Sequence, residues 1–216
     1  MIMKLKNHFL LLLALPMMMS CGSGGEGAGS APAVVDTVGV VYDNIMTRRS
    51  VRKYKPQPVE RAKMDSVVMC GLNAPNGQNR QAYEVRIVDD PEFINGVTKV
   101  YAEANPEAAA APDFKTMFRN APTVVFIAAD TSYDMSAIDC GLLGGNMVLA
   151  AWSMGIGSCC LGSPTRFMLE NPAAKPYLDK LGFSDGYKLL YVIGFGYPDE
   201  TPAAKPRRTD MVRYVD

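Results

Sequence analysis

Within RRSVRKYKP, residues 48–56, the cations Arg48, Arg49, Arg52, Lys53 and Lys55 crowd around one hydroxyl, Ser50. A second basic island, Lys205, Arg207 and Arg208, stands near the other end of the chain. Guanidinium and ammonium donors beside a hydroxyl are what a phosphate needs, provided few rotamers must be frozen to hold it. By charge alone, two solvated charge runs are the favoured reading. Neither standard nucleotide loop is present. There is no GxxxxGK[ST], and in GIGSCCLG, residues 155–162, Cys160 stands where the third glycine of GxGxxG belongs. A phosphate would have to be gripped by side chains.

A third feature is NAPNGQNRQAY, where Asn76, Asn79 and Gln81 sit in a Gly/Pro turn. Amides offer both donor and acceptor, as the edge of a heteroaromatic ring requires. The same residues also make an ordinary polar turn.

The elements that must position these groups begin after residue 20. The start, MIMKLKNHFLLLLALPMMMSC, has basic Lys4 and Lys6, an apolar run from Phe9 to Met19, then Ser20 and Cys21. That is the layout of a secretory signal, and its apolar run falls well short of the about 20 residues a spanning helix needs. Ser20-Cys21 resembles the lipobox of bacterial lipoproteins, which implies lipidation at Cys21 and an exported, membrane-anchored protein at the periplasm or cell surface. An ordinary cleaved signal is the alternative. The expected organisation is a signal over 1–20, a flexible tether over 21–38 and one domain over 39–216.

Cleavage removes Lys4 and Lys6, leaving 20 basic against 22 acidic residues, a net charge of −2. A nucleic-acid binder would show a basic excess. Cleavage also removes His8, the one histidine. Ser-His-Asp and Cys-His nucleophilic machinery and His-ligated metal sites are thereby excluded. Cys70, Cys140, Cys159 and Cys160 form no CxxC pair, so no metal site is expected, and their apolar surroundings suggest buried free thiols. Chemistry in such a chain would come from a bound cofactor.

Hydrophobic periodicity predicts helices in VYDNIMTRRS and VERAKMDSVVMCGLNA, strands in YEVRIVDD, APTVVFIAAD and YKLLYVIGFGYP, and a broken helix over 92–118. SAIDCGLLGGNMVLAAWSMGIG reads as a long helix without a polar face, hence buried on all sides and central, with an intersubunit position as one way to bury it. Its glycines lower helix stability, and close packing against another helix would compensate.

The order of these pieces resembles the FMN-dependent nitroreductase family. That family shows RRSxRxY…PV, APSxxNxQPW, an apolar helix running into GxGSCW-G, and a last strand IGYP…K-R. The corresponding segments here are RRSVRKYKPQPV, APNGQNRQAY, NMVLAAWSMGIGSCCLG and VIGFGYPDETPAAKPR, in order over about residues 42–210. The resemblance implies an α+β fold, a three-layer α/β/α sandwich with a central, mixed but mostly antiparallel sheet, in a homodimer with FMN between subunits. It implies that Arg48, Ser50, Lys205 and Arg207 hold the FMN phosphate, with Arg49 nearby. Arg52 would reach the flavin and tune it. Asn76, Gly77 and Asn79 would contact FMN from the partner, and Leu161 and Gly162 would address the flavin edge. Asn76, Ala82-Tyr83 and Cys160 depart from the pattern, at Ser, Pro-Trp and Trp. The implied activity is ping-pong hydride transfer from NAD(P)H or another reduced donor, through FMN, to nitroaromatics, quinones or similar electrophiles. No catalytic side chain and no metal are needed. A non-catalytic flavin-binding surface lipoprotein of the same fold is the alternative, because NAD(P)H is not expected outside the cytoplasm.

Overall fold

Four apolar runs pair into one antiparallel sheet of order β1-β2-β4-β3. They are β1 (Tyr83–Val88), β2 (Thr123–Asp130), β3 (Gly157–Leu161) and β4 (Tyr187–Gly196). The computed structural model describes residues 37–215. Among the described residues the three strand pairings are antiparallel, and a parallel bridge between Ser50 and Ser158 lies beside them.

Side chains alternate across a strand, so each inner strand feeds two cores. Val125, Ile127 and Ala129 of β2 join Ile193 and Phe195 of β4 on one face. Val124 and Phe126 join Leu189 and Val192 on the other. The first face is covered by α2 (Arg61–Leu72), through Met64 and Val67, and by α5 (Ser136–Ser153), through Leu143 and Met147. The second is covered by Phe93, Ile94 and Val97 of α3 (Pro91–Ala104) and Met168 of α6 (Gly162–Glu170), with Leu178 of α7 (Lys175–Lys180) packed at the edge. The broken helix is α3 followed by the single turn α4 (Pro106–Ala109). Pro91 and Pro106 each sit at a helix start, where a missing N–H costs nothing.

α5 is long and apolar as expected, but Gly144 serves a strand contact and not a helix contact. Gly144 lies under Tyr191 of β4: a Cβ there would meet the tyrosine oxygen at 2.0 Å. Helix-to-helix closeness comes instead from Gly71 of α2, where a Cβ would stand 2.5 Å from Met147 Cγ. Gly141 and Gly145 face open space. They share the outer side of α5 with the exposed Ile138 and Leu142.

α1 (Thr37–Thr47) buries none of its residues. Polar bonds pin it to α5: Asn44 Nδ2 donates to Leu149 O (3.0 Å) and Trp152 Nε1 to Thr47 Oγ1 (3.0 Å). Thr37 and Val38, read as the end of the tether, open this helix. The signal and Cys21 lie outside the described residues. Of the thiols, Cys140 and Cys159 are buried, but Cys70 and Cys160 are exposed, because they fall on the outer sides of α2 and β3.

Candidate functional site

The basic islands meet because the chain after β4 runs back along the segment before α2. Tyr54 bridges Pro198 in antiparallel fashion. Lys55 N donates to Tyr197 O (2.9 Å), and Asp199 N donates to Lys53 O (2.9 Å). The Glu200 carboxylate accepts from the backbone N–H groups of Arg52 and Lys53. The first strip is in turn fixed to β3: Val51 N donates to Ser158 O (3.0 Å). Val51 is fully buried, and it can dock because Gly157 has no side chain; a Cβ there would meet Val51 at 2.8 Å.

This pairing delivers residues 202–207 beside residues 48–50. Arg48, Arg49, Ser50, Arg52, Lys205 and Arg207, with Pro202 and Ala203, line one cavity of about 130 Å³. No carboxylate is in its wall. Among the described residues, none of the five cations is ion-paired. Arg49 is partly committed, since its Nη1 donates to Met46 O (2.7 Å) at the C-terminal end of α1. Arg52 Nη1 donates to Ser50 O (3.1 Å). Five like charges side by side repel one another, and a bound anion would relieve that. The donor set, guanidinium forks plus a hydroxyl, suits a phosphate.

Arg52 is also in the wall of a larger cavity of about 400 Å³, with Lys53, Tyr101, Phe114, Arg119, Ser163 and Glu200 among its other neighbours. Burial pushes the Cys159 thiol up against the opposing pull of Arg52, Arg119 and Arg48, so three guanidinium groups surround this stretch of β3. Leu161, the last residue of β3, is buried, and Gly162 opens α6 with nothing within 4 Å of where its Cβ would be.

Asn76, Gly77 and Asn79 line neither cavity. They form a tight turn between α2 and β1 in which Gln78, Asn79 and Gln81 take left-handed φ values of 56°, 55° and 50°. Asn76 Oδ1 accepts from Gln81 N (3.0 Å). Gly77 N donates to the buried carboxylate of Asp139, at 3.0 and 3.2 Å from its two oxygens. A Cβ on Gly77 would stand 2.0 Å from the Tyr133 hydroxyl, and Arg80 covers that tyrosine ring at 4.5 Å.

The sequence profile of the nitroreductase family matches residues 45–197, from inside α1 to just past β4. The chain belongs to the nitroreductase family. Among proteins of this family, an NADPH-flavin oxidoreductase of Vibrio harveyi is 27% identical over 172 residues, covering 76% of this chain and 68% of its own length. An NAD(P)H-dependent FMN reductase of Bacillus subtilis is 25% identical over 179 residues, covering 77% and 69%. A crystal structure of a Desulfitobacterium hafniense nitroreductase with bound FMN superimposes with a TM-score of 0.71 at 25% identity, covering 82% of this chain and 98% of that one.

Of the residues that the nitroreductase pattern singles out, Arg48, Arg49, Ser50, Arg52, Lys205 and Arg207 come together in one cavity. Leu161 and Gly162 sit at the β3–α6 junction. Asn76, Gly77 and Asn79 stand apart on the same chain. Sequence reasoning missed Arg119, Glu200 and Asp139. Asp139 had a legible signal, a lone acid in the first turn of an apolar helix. Glu200 and Arg119 had none, because both depend on loop geometry.

Proposed function

We propose that this nitroreductase-family chain is an FMN-dependent oxidoreductase that takes electrons from NAD(P)H, or another reduced donor, and passes them to nitroaromatics, quinones or similar conjugated electrophiles. The observation that carries the reading is the cation cavity, with five unpaired basic side chains and Ser50 in its wall and no acid. FMN bound there would supply the hydride chemistry at its N5. The residues present suit it: Arg48, Ser50, Lys205 and Arg207 would hold the phosphate, and Arg52, shared between both cavities, would offer positive charge to the ring system. Positive charge there favours the reduced, anionic ring. The remaining task of the protein is orientation and exclusion of water, which needs no nucleophile.

The active unit we propose is a homodimer. α1 exposes Val41, Tyr42, Ile45 and Met46, and α5 exposes Ile138 and Leu142 beside its two bare glycines. Exposed apolar side chains gathered on two adjoining helices suit an interface with a second copy. In the dimer, Asn76, Gly77 and Asn79 would serve the partner's cofactor, which accounts for their distance from the cation cavity of their own chain.

Export and a lipid anchor at Cys21 are part of the proposal, supported by the signal-like start of the sequence. Among the described residues, no helix is long and apolar enough to cross a membrane. The deciding experiment is a visible absorption spectrum of the purified protein, followed by addition of NADH or NADPH. Yellow protein that bleaches and recovers on adding a quinone is expected. A colourless protein that ignores added FMN would overturn the assignment.

A further inference from the structure

The larger cavity holds a cation, Arg119, to which the family pattern assigns no role. Its wall contains three basic side chains, Arg52, Lys53 and Arg119, and two acidic ones, Asp113 and Glu200. Glu200 accepts through Oε1 from the backbone N–H groups of Arg52 and Lys53. Among the described residues, the Arg119 guanidinium donates no hydrogen bond and enters no ion pair.

The backbone at Arg119 is held where side-chain-bearing residues rarely stay. Its φ is +57°, and that of Asn120 is +61°. Asn120 enforces this. Its Oδ1 accepts from Lys115 N (2.9 Å) and Thr116 N (2.8 Å), and its Nδ2 donates to Asp113 O (2.7 Å). Its own N donates to Thr116 Oγ1 (3.0 Å). The next residue, Ala121, is buried where it meets Gly194 of β4. Strain that its surroundings over-determine is a reason to look for a role. Here the strained residue is a bare cation in the wall of the largest cavity described. The same wall carries Tyr101 and Phe114, stacked at 6.0 Å with an interplanar angle of 21°. An aromatic surface and an unpaired guanidinium suit a flat molecule with an anionic end.

We propose that this cavity takes a conjugated or aromatic acceptor bearing a carboxylate, and that Arg119 is the residue that reads the carboxylate. The inference rests on the FMN oxidoreductase reading above and names its acceptor class. For a nitroaromatic acid the balance is plain. The nitro group takes two electrons and two protons and loses one oxygen as water, giving the nitroso compound. The two electrons and one proton come from NAD(P)H, which is oxidised to NAD(P)+, the second proton comes from water, and the carboxylate is unchanged.

The test compares para-nitrobenzoate with para-nitrobenzamide, which has the same shape without the charge, in wild type, Arg119→Gln and Arg119→Lys. In parallel, benzoate and benzamide, which cannot be reduced here, are titrated into the oxidised protein by calorimetry. One charge-assisted contact predicts a preference for the acid of about tenfold in kcat/KM and in affinity. Arg119→Gln should bring both ratios near one, and Arg119→Lys should keep part of them. No preference in wild type, or one that survives Arg119→Gln, overturns the proposal. So does a variant whose defect follows NAD(P)H concentration instead of the acid, since Arg119 would then read the donor's phosphates. The benzoate titration also decides the matter in colourless protein, so failure of the flavin reading and failure of the Arg119 reading remain distinguishable.

Discussion

Arg48 and Arg207, from opposite ends of the folded domain, line one cavity that has no carboxylate in its wall. Such an arrangement is costly without an anion, because like charges repel across a short gap. Lys205→Ala with Arg207→Ala removes two charge-assisted contacts, at about 1.5–3 kcal/mol each, and should weaken FMN binding by about 10²–10⁴-fold. The flavin absorbance remaining after desalting measures this. The FMN-free double variant should melt no lower than FMN-free wild type, since repulsion has been relieved; a lower melting temperature would mean that these cations support the fold itself.

Arg52 is the one cation shared by both cavities. Its backbone N–H is held by Glu200 and its Nη1 rests on Ser50 O, so its place does not depend on a ligand. Arg52→Gln should leave FMN bound and lower its reduction potential by about 30 mV, the equivalent of about 1.4 kcal/mol for a two-electron couple. Equilibration with a redox dye of known potential reads the shift. An unchanged potential would place the guanidinium in solvent.

The sheet was legible because TVVFIAAD is a short continuous run of apolar, largely β-branched and aromatic residues, a local signal of a strand buried on both faces. The convergence of the basic islands was legible only through resemblance. Nothing local in KPRR says that Asp199 and Glu200 will zip it against Lys53 and Arg52. Gly144 of α5 meets a strand residue instead of a helix, for a related reason. Helical spacing tells which residues share a face, but whether Tyr191 or another helix lies opposite is a tertiary fact. Arg119 was invisible because its left-handed backbone is imposed by the side chain of Asn120, through bonds to residues four to seven positions earlier.

Gly77 is squeezed between the Asp139 carboxylate and the Tyr133 hydroxyl. Gly77→Ala should cost about 1–3 kcal/mol through overpacking, with loss of the Arg80 contact on the tyrosine ring as Tyr133 swings away. Tyr133→Phe removes the atom at 2.0 Å and leaves the next at 3.2 Å, so it should restore much of the loss. A thermal-melt double-mutant cycle tests this, and simple additivity of the two substitutions would refute the clash.

Ile138 of α5 is 57% exposed and Ile45 of α1 is 51% exposed. If these faces meet a second copy, Ile138→Asp buries an unpaired charge at the interface, which is strongly destabilising. Sedimentation should then show a monomer where wild type is a dimer. FMN should leave with the partner, since Asn76, Gly77 and Asn79 would no longer reach it. A variant that stays dimeric would move the interface elsewhere.

Acid stability follows from Glu84 of β1. Its carboxylate accepts from Ser184 N (3.2 Å) and from Arg86 Nη2 (2.7 Å), while Arg86 also donates to Leu181 O and Gly182 O. The Ser184 bond first, and then Arg86, holds the carboxyl below its usual 4.5. A group whose folded pKa is lowered lends stability that is fully present above its unfolded value and is lost as pH falls through the folded one. Melting temperature should therefore drop as the pH is taken below about 4.5, and Glu84→Gln, which cannot titrate, should flatten that part of the curve. The pair is partly exposed, so the effect should be about 1 kcal/mol. A Glu84→Gln curve that falls as steeply as wild type in the acid range would assign the loss to other carboxylates.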